Sequence, residues 1–290
     1  MKKLKIVLST LLILIFARYL TKDNAPTLQK TSKPTYIHEL KPKTPAKAVT
    51  LILHGLNNHP RKTLRNFAEN LKQQGHYVLI GSYSGHYEQD SDRKLISMSY
   101  FEWYQQATWL LEKLKTISTS LKIPSYFVGY STGAVLGNMV FRERPELKTS
   151  KQVLFAPALE LVLNPFLKQL AYLLPNKFTI TSRTHPKIRK NQRLPVKAYR
   201  NLFFHIENFQ NKPKLLVPTL MILSKKDELI AYEGLKTICD ESVCEIFDVT
   251  NDWPIKDHVK FHHLIVGAEF IGPKRWKNVM DRVHKFLKEK

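Results

Sequence analysis

The pentapeptide Gly129-Tyr130-Ser131-Thr132-Gly133 constrains the fold of this chain more than any other stretch. A short apolar run, Tyr126-Phe127-Val128, leads into it, and Ala134 to Phe141 follow with the composition of a helix. Gly-x-Ser-x-Gly between these two runs requires a strand that turns sharply into a helix. Glycine on either side removes the Cβ atoms that would keep strand and helix apart. The serine between them takes a strained conformation, and its oxygen projects above the sheet. A glycine-flanked turn with a purely structural serine is the alternative, and it has to be judged by whether partner residues occur elsewhere.

The remaining pattern is α/β. Residues 49–53, 77–80, 126–128, 153–156, 220–223 and 243–249 form short apolar runs, and 63–74, 101–117 and 276–288 have helical spacing. Strands that are continuously apolar and alternate with helices belong in a parallel sheet covered on both faces. Residues 158–213 break the alternation. They open apolar (Leu159, Leu161, Val162, Leu163, Phe166) and turn basic through Lys177, Arg183, Lys187, Arg189, Lys190 and Arg193. An insertion at this point forms a cap above the strand ends, supplying an apolar wall that excludes water.

Lys2, Lys3 and Lys5 precede the apolar residues 6–17, the pattern of a signal peptide or N-terminal membrane anchor over residues 1–20. The positive-inside rule then places the rest of the chain outside the cytoplasm, periplasmic or otherwise extracytoplasmic. Residues 21–45, rich in Lys, Thr and Pro, read as a linker, with the globular part at 46–290. Cys239 and Cys244 are the only cysteines. In an exported chain they suggest one local disulfide; in a reducing compartment they are two free thiols. They cannot build a zinc site alone, and His258 with His262 lacks an acidic third ligand, so neither metal nor cofactor is expected. A surplus of 46 basic over 24 acidic residues implies attraction to polyanions, an anionic membrane surface among them. No zinc-finger, RNA-recognition or helix-turn-helix signature accompanies it, which argues against nucleic acid.

A serine nucleophile needs a base, and the base needs an orienting carboxylate. Asp227 follows the run 220–223 through Ser224-Lys225-Lys226, at the end of a strand where α/β sheets carry their chemistry. Asp248 and Asp252 are weaker rivals, and a helix-capping aspartate is the structural alternative. Two adjacent histidines follow the last strand. His263 is the favoured base because Leu264-Ile265-Val266 can dock its loop on the core, and His262 is the alternative. The oxyanion needs fixed N–H donors. Thr132 directly follows the serine, and His54-Gly55-Leu56 places the Leu56 N–H on the loop after the first strand, with His54 bracing that loop.

Together, His54-Gly55-Leu56-Asn57, Ser84-Gly85-His86, the turn at Ser131, Phe155-Ala156-Pro157-Ala158, Asp227-Glu228-Leu229-Ile230 and His263 resemble the α/β-hydrolase superfamily. The resemblance is to the group of monoacylglycerol lipases, lysophospholipases and serine aminopeptidases. It implies a mostly parallel eight-stranded sheet with helices on both faces, and a Ser131–His263–Asp227 triad. The expected activity is hydrolysis of a small-molecule or lipid carboxylic ester. A thioesterase or peptidase would use the same triad, and a non-catalytic envelope binding protein is the reading from another class. Ser82 and Tyr87 depart from the Asp and Gly usual beside the Gly-His turn, and Thr132 stands where many members have Met, Leu or Gln.

Overall fold

The computed structural model describes residues 32–162, 165–182, 184–250 and 262–289. The N-terminal targeting segment and Asp252 and His258 lie outside them. Side-chain periodicity sets the elements. β1 (Tyr36–Leu40), β2 (Ala48–Leu53), β3 (His76–Ser82), β4 (Ser125–Tyr130) and β5 (Lys151–Phe155) are followed, after an insertion, by β8 (Thr219–Leu223) and β9 (Cys244–Asp248). Within the insertion, β6 (Thr179–Thr181) and β7 (Arg193–Pro195) form a separate antiparallel pair. The helices are α1 (Arg65–Gln73), α2 (Ser91–Ser97), α3 (Glu102–Leu121), α4 (Thr132–Glu143), α5 (Pro165–Leu173), α6 (Val196–Gln210), α7 (Tyr232–Ile238), α8 (Ala268–Ile271) and α9 (Pro273–Lys288).

The main sheet runs β1-β3-β2-β4-β5-β8-β9. β1 is antiparallel to β3, and every other neighbouring pair is parallel. This is the α/β-hydrolase arrangement, with one correction: the described residues give seven strands in this sheet rather than eight. A second difference concerns the stretch read as a linker. Tyr36–Leu40 pairs with β3 in it, so the folded unit begins before residue 46. Both ends of β1 are buried, while Glu39 faces outward to Lys113 at 2.9 Å, a polar edge strand with too few apolar residues to register as one.

Both faces of the sheet are covered, as continuously apolar strands require. Every residue of β2 and β8 is buried. On one face, Phe67 of α1 and Trp276 of α9 meet Phe155, with ring centres 5.3 and 6.3 Å away. On the other, Phe141 of α4 packs on Phe127 at 5.5 Å, and Gly81 of β3 lies so close to Leu110 of α3 that a Cβ would sit 2.4 Å from it. A disulfide joins Cys239, after α7, to Cys244 at the start of β9, with Cα atoms 5.1 Å apart.

Candidate active site

Ser131 directly follows β4 and precedes α4 with φ 51° and ψ −113°, a conformation that strains any residue with a Cβ. Close packing imposes it. A Cβ on Gly133 would lie 2.4 Å from the Leu53 carbonyl oxygen, and one on Gly129 would lie 2.6 Å from Ala134 Cα. The Ser131 backbone is held on both sides: its N–H donates to Phe155 O (3.0 Å), and its carbonyl accepts from Ala158 N (3.2 Å).

Asp227 sits on the turn after β8. Its Oδ1 accepts from the N–H groups of Leu229 (2.8 Å) and Ile230 (3.0 Å). Oδ2 is left facing His263 Nδ1 at 2.9 Å. The aspartate therefore caps its own turn and orients an imidazole with the other oxygen. The adjacent residues form a second pair: Glu228 Oε1 accepts from both the N–H and the Nδ1 side of His262, at 3.1 and 2.6 Å. Asp248 is turned to Lys225 at 3.1 Å and to Thr250. Tyr130 braces the His263 loop, donating to the His263 carbonyl at 3.4 Å with ring centres 5.4 Å apart.

Ser131 and His263 open on one cavity of about 370 Å³. Leu56 stands at its edge, and the Thr132 N–H, at the start of α4, is among those a helix leaves without an internal partner. Gly55 permits this approach, since a Cβ there would lie 3.1 Å from the Ser131 Cβ. His54 lies behind the loop, fully buried. Its Nδ1 faces Gly55 O at 2.9 Å and its Nε2 faces the Ser82 hydroxyl at 3.2 Å. Burial first, and the neighbouring His86 second, hold its pKa well below the ordinary value, so the ring is neutral. Burial likewise pulls His86 down to about 4; His54 stacks on Tyr83, and His86 meets Tyr83 and Trp103 edge-on in the same cluster.

Asn57 belongs to the motif that carries the resemblance, but the sequence assigns it no role of its own. In a left-handed conformation (φ 57°), it donates from Nδ2 to Ser182 Oγ and Asn191 O, both at 2.7 Å, and accepts from Asn191 N at 2.9 Å. His59 N to Ile188 O and Lys190 N to Asn57 O, at 2.7 and 2.8 Å, complete a staple between the loop after β2 and the insertion. Asparagine tolerates this backbone better than most residues, but the partners lie more than 120 positions away, so no local signal reveals them.

A family model described as "Serine aminopeptidase, S33" matches residues 44–249. The chain belongs to that family of α/β hydrolases. Solved structures agree on the fold. A soluble variant of monoglyceride lipase from Saccharomyces cerevisiae superposes with TM-score 0.70 at 12% identity, covering 91% of this chain and 98% of that one. A metagenome-derived lipolytic enzyme gives 0.67 at 16% identity, over 90% and 100%. The monoacylglycerol lipase of Paleococcus ferrophilus gives 0.60 at 17%, over 87% and 98%. Among curated protein sequences, none matches significantly.

Proposed function

We propose that this hydrolase cleaves carboxylic esters through a covalent acyl-enzyme. The observation that carries the reading is the opening of the strained Ser131 and the Asp227-held His263 onto the same apolar cavity. With Nδ1 bound to Asp227, His263 presents Nε2 toward the cavity side. It takes the Ser131 proton as Oγ bonds to the acyl carbon, and the carbonyl electrons move onto oxygen. The Leu56 and Thr132 N–H groups stabilise that oxyanion. Collapse of the intermediate expels the alcohol, which receives the proton from His263. Water, activated by the same imidazole, then releases the acid.

An ester fits the cavity better than a peptide amine terminus does. Among the described residues lining it there is no Asp or Glu to receive an ammonium group, while leucine, isoleucine, valine and phenylalanine dominate the walls. The lipolytic activities named for the structural relatives support the same choice. The Cys239–Cys244 disulfide supports export, since such bonds persist in oxidising compartments. A panel of p-nitrophenyl esters of rising chain length against aminoacyl p-nitroanilides tests the substrate class. Cleavage of esters alone is expected; cleavage of anilides alone would replace the ester reading with a peptidase.

A further inference from the structure

Six large apolar side chains are exposed among the described residues, and five belong to the insertion: Val162, Leu170, Leu173, Phe178 and Ile180. They form one surface. Val162, Leu170 and Ile180 also line the cavity over Ser131, so all three stand at its mouth. Leu173 is one turn beyond Leu170 on α5 and shares its face. Phe178, directly before β6, is exposed two positions from Ile180. Isolated exposed leucines need no explanation, but a cluster around a cavity mouth marks an interaction site.

Charge decides the partner. Residues 161–206 contain nine Lys and Arg and no Asp or Glu; Lys197 and Arg200 turn inward and Lys168 pairs with Glu207 at 2.7 Å, but the cations beside the apolar tips face outward. Lys177, next to Phe178, is exposed. Arg193, across the hairpin, is also exposed and donates to Thr179 O at 2.8 Å, which holds its charge beside Ile180. Apolar tips ringed by cations match a surface with anionic head groups above hydrocarbon.

We infer that the insertion docks on an anionic lipid bilayer through Leu173, Phe178 and their neighbours, with the cavity mouth against the lipid, so that an ester passes from bilayer to Ser131 without crossing water. Only the last step rests on the esterase reading. Docking itself does not require catalysis.

The full-length chain carries its own apolar N-terminal residues, so the readout must be local. Leu173→Cys or Phe178→Cys, labelled with an environment-sensitive fluorophore, is mixed with phosphatidylcholine vesicles with and without phosphatidylglycerol as the anionic lipid. Leu121→Cys, at the sixth exposed apolar position and outside the insertion, is the control. The expected result is a blue shift and brightening at 173 and 178 only, with anionic vesicles, reversed by salt. No shift, or an equal shift at 121, overturns the inference. The same shift with a soluble polyanion such as heparin also overturns it, in favour of a polymer partner. Separately, Leu173→Asp with Phe178→Asp should lower hydrolysis of a vesicle-borne ester at least about tenfold, with a soluble short-chain ester unaffected. Equal rates on vesicles for variant and wild type contradict delivery from the bilayer. A wild type inert to every ester instead defeats the esterase reading, and the fluorophore result still decides docking.

Discussion

The floor of the cavity is made of strand ends and the roof of an insertion, and the two treat polar and apolar groups in opposite ways. On the floor, apolar side chains are buried, and the carboxylate and the bracing histidine have fixed partners: Asp227 takes two backbone N–H groups and His263, and His54 is neutral between Gly55 and Ser82. The roof exposes five large apolar side chains and turns two basic ones inward. Lys197 lies 3.3 Å from the centre of the Tyr100 ring, and Arg200 donates to the carbonyls of Ala171 (2.7 Å) and Tyr172 (2.9 Å). The floor is built for placement, as preorganised catalysis demands, and the roof for contact with something apolar.

The sharpest test of that contrast uses the two neighbouring carboxylate–histidine pairs on the floor. Asp227→Asn should lower kcat about 10⁴-fold with the fold intact, because the amide supports the wrong imidazole tautomer. Glu228→Gln should stay within about tenfold. Equal losses in steady-state assays would mean that the second pair shares the proton chemistry.

Packing gives the next largest effect. Gly133→Ala forces a methyl to 2.4 Å from the Leu53 carbonyl and should cost about 2–4 kcal/mol in urea unfolding. Leu173→Ala, on the roof, should be close to neutral. Asn57→Ala, which cuts the staple between floor and roof, should cost about 1–3 kcal/mol and raise KM more than it lowers kcat.

The last effect is on stability in acid. His76 and His86 are drawn by burial from 6.5 to about 4 and His205 to about 3, so the folded state keeps them neutral where the unfolded chain protonates them. Stability should therefore fall as pH drops below about 6.5, by at most about 1.4 kcal/mol per unit for each histidine. The slope should flatten below about 4 as the folded histidines protonate too. Thermal denaturation between pH 7 and 4 measures it, and a rise in stability on acidification would contradict the neutral state of these buried histidines.

The same division explains what the sequence made legible. Floor residues are bound by local rules: Ser131 by its flanking glycines, Asp227 by its place after an apolar strand, and strands 49–53 and 220–223 by continuous hydrophobicity. β1 escaped notice because an edge strand needs few apolar residues, and the stapling role of Asn57 because its partners lie in distant sequence. The β6–β7 hairpin has three residues in each strand, and α6 carries inward-facing Lys197 and Arg200 where a helix core pattern expects apolar side chains. His262 and His263 are indistinguishable by spacing; only the chain reversal after β8 assigns one to Asp227 and the other to Glu228.

The central claim is that Ser131 becomes covalently acylated. Intact-mass spectrometry of the full-length protein after treatment with a fluorophosphonate measures this directly. One adduct per chain is expected, mapped to the peptide holding Ser131 and absent from folded Ser131→Ala. An unmodified wild type that hydrolyses esters, or an adduct that persists in Ser131→Ala, would contradict it.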